Sequence, residues 1–366
     1  MKLTQRQDEI LSFFISELDS GKEFVTASEV MESLSAKVER TTIFRDLDAL
    51  CDNLVLKADG STKNRVYKLD EKSLAYLEWD LTRPPETRKI VPYNYNVLEE
   101  YIPNETFWLG DTEDLTQLYP TSDADADDNY RKVLNALLID LTYASSRLEN
   151  VKISWLDTKS LIEFGEQPKG LTKEEMAIVL NHKEAVKFMC EQRGEIGINK
   201  RDLCDIHKLL MVDLLGNPQD AGRLRQGIIF FDGSKYKPID NSFILEEQFR
   251  LFCDKAEAIH DPFEKAFFSM LMIPYLQPFQ DGNKRTSRLC MNFSLLKNGL
   301  APFSFTTISK RDYMFSLLAF YERGRVDPMS KVFRESYVKS AEKYAETMRY
   351  LSEGGSLSTL TYRQVG

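Results

Sequence analysis

Twelve residues carry the densest chemistry in the chain: Gln277-Pro-Phe-Gln-Asp-Gly-Asn-Lys-Arg-Thr-Ser-Arg288. Gly282-Asn283 reads as the opening of a helix, whose first backbone N–H groups can face an anion while the dipole adds partial positive charge. Lys284, Arg285 and Arg288 place three cations within its first turns, and Asp281 sets one hard oxygen ligand beside them. Such a nest, with one carboxylate able to hold Mg²⁺, suits a polyphosphate. Taken singly, any of these residues also fits a solvated surface turn. Together, between two apolar helices, they form a far less ordinary set.

Those helices are legible on either side. Asp261-Pro-Phe-Glu264 supplies a cap, a first-turn proline and an acid three residues after the cap. The apolar run Ala266–Leu276 predicts a buried helix ending near Pro274. Beyond the loop, Leu289, Phe293 and Leu296 share one helical face, and Asn298-Gly299 predicts the stop.

With 366 residues, 42% hydrophobic and 11% aromatic, the chain can bury a large core and predicts two or three domains. A net charge of −9 does not advertise nucleic-acid or acidic-membrane binding by the chain as a whole. The five cysteines include no C-x-x-C pair and are odd in number, which suits reduced thiols. No basic-apolar leader and no apolar run of about 18 residues is present. The expectation is a cytoplasmic protein with no membrane partner.

Residues 1–70 carry their own pattern. Capping boxes at Thr4-x-x-Gln7 and Thr26-x-x-Glu29 open two helices, and Ile43, Leu47 and Leu50 line a third, with Thr41, Thr42 and Arg45 on its other side. Alternating runs at Leu54–Lys57 and Arg65–Leu69 flank Asp59-Gly60, a hairpin signal. Three helices and a hairpin make a winged helix, and Thr41–Leu50 resembles the recognition helix of DeoR-type regulators. That resemblance implies promoter DNA as partner, with Thr41, Thr42 and Arg45 in the major groove and Lys63 and Arg65 on the wing. Against it, residues 1–70 hold 10 Lys/Arg and 13 Asp/Glu, a net of −3. DNA-binding domains are usually basic, so a protein-docking role stays open.

The Gln277–Arg288 segment resembles the signature of the Fic/Doc (Fido) family, His-Pro-Phe-x-x-Gly-Asn-Gly-Arg-x-x-Arg. Most of that family transfers AMP from ATP to a protein hydroxyl. The resemblance implies ATP and Mg²⁺ as ligands, Asp281 on the metal, and Gly282, Asn283, Lys284, Arg285 and Arg288 around the nucleotide. Two positions depart. Lys284 replaces the second glycine, as in the Doc branch, which transfers a phosphoryl group. Gln277 replaces the histidine that acts as general base, and an amide cannot accept a proton near neutral pH.

Further resemblances follow. Ser145, Glu149 and Asn150 match the inhibitory motif of self-inhibited relatives, in which the glutamate pairs with the last arginine, here Arg288. Ala221-Gly-Arg-Leu-Arg225 resembles the turn before the flap, and Ile228–Ile239 is the expected flap hairpin, which in the family holds a target peptide. Irregular, aromatic-rich residues 71–129 predict an arm packed on the next domain, with a flexible point at Thr121–Asn129. The domain itself spans residues 130–350, its inhibitory helix residues 130–150, and a loose tail residues 351–366. His182, His207 and His260 are read as structural. The expected fold class is mainly α: a winged helix-turn-helix plus an all-α Fic domain with a short β-hairpin flap.

Two functions compete. One is a self-inhibited, nucleotide-binding regulator of the AMPylation lineage with weak or lost transferase activity. The other is an active AMP-transferase, or a Doc-like phosphotransferase, acting on a protein hydroxyl. A retained Glu149 beside a missing base favours the regulator, since a brake is of little use on a dead enzyme. The sequence leaves open whether the protein forms a homodimer.

Overall fold

The computed structural model describes residues 3–61, 64–119, 128–231 and 233–353. It divides into two units, Met1–Lys89 and Ile90–Gly366.

In the first unit, α1 (Gln5–Asp19), β1 (Val25–Thr26), α2 (Ala27–Ser33), α3 (Arg40–Asp52), β2 (Leu56–Asp59), β3 (Val66–Leu69) and α4 (Leu74–Thr82) follow in order. Both capping boxes form, at Thr4 and at Thr26. The strands make an antiparallel sheet of order β1-β3-β2, with Leu56 opposite Leu69 and Asp59 opposite Val66. That register turns Leu56, Tyr67 and Leu69 toward Ile10, Phe14, Ile43 and Leu47. β2 starts two residues later than the alternation predicts, because Leu54 takes a left-handed turn at φ 59°. The unit also runs past residue 70. Tyr76 and Trp79, on a helix capped by Ser73, join its core, and Trp79 Nε1 donates to Asp8 Oδ1 at 3.0 Å.

The second unit begins with β4 (Val91–Pro92), α5 (Asn96–Glu99) and α6 (Glu113–Thr116). Then come α7 (Asp128–Leu148), α8 (Trp155–Phe164), α9 (Lys173–Glu191), α10 (Lys200–Leu210) and β5 (Tyr236–Lys237). It closes with α11 (Ser242–Ala258), α12 (Pro262–Leu276), α13 (Asn283–Cys290), α14 (Asn292–Lys297), α15 (Lys310–Arg323) and α16 (Asp327–Ser352). The fold is mainly α, as expected. At its centre α12 is buried along almost its whole length and packs on α11, α13, α14 and α15.

α12 outlasts Pro274 by two residues. A proline inside a helix leaves the carbonyl four residues back without a donor. Here that carbonyl is Met270 O, and Ser287 Oγ supplies the donor at 2.8 Å from α13. Residues 90–119 are anchored on α12: buried Glu264 accepts from Tyr101 Oη, Trp108 N and Leu109 N. The flap departs from expectation. Among the described residues of 228–239, the one strand is β5, and it pairs in parallel with β4 through Val91 N→Lys235 O and Tyr93 N→Lys237 O. The arm thus supplies the partner that a second flap strand was expected to give. Lys63, most of the acidic stretch and the tail from 354 onward lie outside the described residues.

Candidate functional site

The loop between α12 and α13 is shaped by its two ends. Gln277 ends α12 in a left-handed conformation (φ 50°, ψ 57°), and Gly282 opens α13 at φ 75°. At φ 75° any other residue would be strained, and a Cβ on Gly282 would also push on Met211 Sδ, 2.5 Å away at the end of α10. Between these points the carbonyls turn inward. Arg225 donates from Nε to Gln277 O (2.7 Å) and from its backbone N to Pro278 O (2.9 Å). Asn283 Nδ2 reaches Phe279 O (2.8 Å), and His207 Nε2 reaches Asp281 O (3.0 Å). The Asp281 carbonyl thereby puts the Gly282 N–H on the opposite side of its peptide, and Asn283, Lys284 and Arg285 form a first helical turn whose N–H groups have no intrahelical acceptor. The backbone N–H groups of Asp281, Gly282, Asn283, Lys284 and Arg285 donate to no described residue.

These residues line a cavity of about 240 Å³. Gln277, Glu149 and the loop form its polar side; Phe230, Phe231, Leu317 and Tyr321 form an apolar wall. Arg285 and Arg288 are buried, and Arg285 Nε and Arg288 Nη1 have no hydrogen-bond acceptor. A buried donor left unpaired costs about 1–3 kcal/mol, which a bound anion would remove.

One carboxylate already sits among these cations. Glu149, just past the end of α7, lies 2.6 Å from Arg288 Nη2 and 3.6 Å from Arg285 Nε. Burial opposes its charge, yet Arg288, Arg285 and Lys284 together hold the carboxyl down at about 2. The next residue, Asn150, has φ 70°, a conformation that glycine and asparagine tolerate best, and its amide oxygen meets Lys310 Nζ. Behind Glu149, Arg288 Nε donates to Ser145 Oγ (2.9 Å), which contacts His182 Nε2 (2.8 Å). His182 Nδ1 in turn faces Ile178 O at 2.7 Å. So Ser145, Glu149 and Arg288 meet as the resemblance implied. His182 joins them, which no spacing indicated.

Two residues behave differently from expectation. The Asn283 amide is used up inside the loop: Nδ2 reaches both Gln277 Oε1 and Phe279 O, and Oδ1 accepts from Phe279 N. Its backbone N–H alone remains for a ligand. The Gln277 amide is equally committed, donating to Pro274 O at 2.7 Å while accepting from Asn283. Asp281 is exposed and paired with Arg285 at 2.8 Å. No group of three or more metal-binding side chains occurs among the described residues. A lone accessible carboxylate fits Mg²⁺ that arrives on nucleotide phosphates, since that ion commonly takes one or two carboxylates plus substrate oxygens.

In the first unit, Thr41 and Arg45 are exposed on α3 and Thr42 is half-buried. The described wing cations are paired within the unit: Arg65 with Asp48 (3.1 Å), Lys57 with Asp70 (3.0 Å) and Lys68 with Glu23 (2.7 Å). Arg225 and His207 are the functional candidates that sequence reasoning missed. A Gly-x-x-Arg turn says nothing about which carbonyls its arginine will reach.

Residues 197–295 match the model of the Fic/DOC family. The chain therefore carries a Fic/DOC family domain. Protein adenylyltransferase fic-1 of Caenorhabditis elegans is 23% identical over 233 residues, covering 61% of this chain and 44% of the relative. Protein adenylyltransferase Fic of Nematostella vectensis is 31% identical over 179 residues, covering 47% and 40%. The chain thus spans less than half the length of these curated relatives. Among solved structures, Fic-1 (residues 134–508) of C. elegans aligns with a TM-score of 0.51 at 21% identity, covering 66% of this chain and 71% of that one. A Fic-domain signaling protein from Bacteroides thetaiotaomicron gives 0.51 at 16% identity, covering 66% and 96%. Likeness at that identity speaks for the fold. Among the described residues, no helix is long and apolar enough to cross a membrane.

Proposed function

We propose that the Fic domain binds a nucleoside triphosphate, ATP with Mg²⁺, at the start of α13, and that Glu149 occupies part of that site as a removable brake. The observation that carries this reading is the run of five ligand-free backbone N–H groups beside Arg285 and Arg288, with a single carboxylate standing among them. Phosphate oxygens would take the N–H groups and both guanidiniums, and Asp281 would hold the metal, whose role when bound is to neutralise phosphate charge. The base would lie along Phe230, Phe231 and Leu317.

We further read the chain as a regulator of the AMPylation lineage. Transfer to a hydroxyl needs a group that takes the proton, and Gln277 is an amide with both ends engaged inside the loop. The first unit, as a winged helix, would read promoter DNA through Thr41, Thr42 and Arg45, with nucleotide occupancy altering that engagement. Its surface ion pairs are each worth little, so Arg65 can exchange Asp48 for a DNA phosphate at small cost.

Active transfer is the second reading. It is favoured by the adenylyltransferase names of the curated relatives and by Gln277 lining the same cavity as the α13 loop. Calorimetry with MgATP on the wild-type chain and on Glu149→Gly tests the nucleotide site. Heat of binding in Glu149→Gly, weaker or absent in wild type, is expected. No binding to either at millimolar ATP refutes it.

A further inference from the structure

We propose that His207 is a positioning residue that fixes the orientation of one peptide plane, Asp281–Gly282, and so keeps the anion cradle facing outward. The proposal rests on the nucleotide reading for its consequence, but its geometry stands apart from it.

The two partners of His207 leave a single protonation form. Gly222 N–H can only donate, so Nδ1 accepts at 2.9 Å. The Asp281 carbonyl can only accept, so Nε2 carries the hydrogen at 3.0 Å. The ring cannot swivel away, because it stacks on Phe279 with centroids 3.9 Å apart and planes 6° apart. A cationic ring would point Nδ1–H at the Gly222 N–H and lose that bond.

The peptide geometry turns this clamp into a device. In a trans peptide the C=O and the following N–H point in opposite directions. Holding Asp281 O inward against His207 therefore aims Gly282 N–H outward, as the first donor of the α13 turn. Nothing in the loop itself enforces that choice. Gly282 sits at φ 75°, and glycine occupies negative φ about as readily, so rotation of the 281–282 peptide is sterically cheap for this residue. The flipped form would place a carbonyl oxygen where a phosphate oxygen should bind. Arg225 secures the earlier carbonyls, Gln277 and Pro278, but does not reach this one. His207 alone among the described side chains does.

The test uses the full chain and two substitutions. His207→Phe keeps the stack on Phe279 and removes both hydrogen bonds; His207→Gln keeps an N–H donor at the reach of Nε2. MgATP affinity, measured by calorimetry in the Glu149→Gly background, should fall at least tenfold with His207→Phe and recover most of that loss with His207→Gln. Equal affinity in His207→Phe and its parent overturns the proposal, as does a loss in His207→Gln as large as that in His207→Phe. A second readout needs no ligand: ¹⁵N spectra of the imidazole at pH 8 should show the Nε2–H form. The Nδ1–H form overturns the clamp even if His207→Phe fails to fold. Should the parent bind no ATP while the imidazole shows the expected form, the nucleotide reading falls and the clamp stands.

Discussion

Replacing Glu149 with glutamine should weaken the ligand-free protein and strengthen its response to nucleotide. Glutamine keeps the volume and removes only the charge facing Arg288 and Arg285. A carboxyl held at about 2 against an ordinary 4.5 corresponds to about 3 kcal/mol of preference for the charged, folded form. Removing one member of a buried pair costs about 3–5 kcal/mol in measured cases, and Arg288 keeps Ser145 as a partial substitute. Both routes give about 3 kcal/mol at pH 7. For a unit of this size that is a fall of roughly 6–10 °C in the melting transition. Scanning calorimetry suits the measurement because the chain has two units whose transitions need separating. Glu149 is depressed below its ordinary value, so its contribution is present above 4.5 and lost as pH falls toward 2. The gap between wild type and Glu149→Gln should therefore close in acid. With MgATP the order should reverse in gain: the variant recovers about 2.7 kcal/mol at a hundredfold excess over its dissociation constant, while wild type recovers less. Wild type and variant melting together at pH 7 without ligand would refute the reasoning, since the ion pair would then stabilise nothing.

Arg285→Ala should weaken ATP binding by about 1.5–3 kcal/mol, the scale of a charge-assisted hydrogen bond; unchanged affinity by calorimetry removes the nucleotide site. His182 and His207 have pKa values lowered by burial to about 3 and about 4. Both stay neutral when folded, so stability should decline as pH falls below the ordinary 6.5, and a flat stability between pH 6.5 and 4.5 would contradict their burial. Arg45→Glu should abolish retention on promoter DNA, whereas Asp48→Asn, which frees Arg65, should tighten it and steepen its salt dependence; identical gel-shift behaviour in all three proteins favours a docking module. Gln277→His with Glu149→Gly should gain self-labelling from ATP over Glu149→Gly alone, α-phosphate label indicating AMP transfer and γ-phosphate label a Doc-like pose; equal rates in the two would return the enzyme reading.

Much of this architecture is local and hence legible. Caps at Thr4, Thr26 and Asp261 act within three residues, and each forms as its spacing predicts. The cation cluster at Lys284–Arg288 and the partner at Glu149 were also readable, the latter through resemblance. What stayed hidden depends on contacts between distant segments. Ser287 rescues the Met270 carbonyl that Pro274 leaves open, so the helix outlasts its proline. β4 and β5 are two residues each and lie far apart in sequence, too short for any periodicity to show. Tyr76 and Trp79 sit in a stretch that reads as irregular, yet their packing extends the first unit to Lys89. Asn283 looked like a ligand-binding amide because its donors are not spoken for until the loop closes on itself.

A glutamate at position 149 beside an amide at position 277 has a physical answer in Arg288. Its guanidinium is fully buried, and a buried cation without a counter-charge is far costlier than an exposed one. Glu149 is its counter-ion whenever the site is empty of anion, so the glutamate serves the fold before it restrains any reaction. On the proposed reading, the same geometry would make it exchangeable. A phosphate arriving at the α13 turn brings more negative charge to Arg285 and Arg288 than one carboxylate does, and it can also take the five backbone N–H groups that Glu149 leaves unused. Displacement would then free Glu149 at the end of α7, next to the Asn150–Lys310 contact with the start of α15. On the proposed reading, a site that swaps one anion for another where α7, α13 and α15 meet would change local structure with occupancy and would need no chemistry at Gln277 to do so. That is the behaviour a nucleotide-responsive regulator requires.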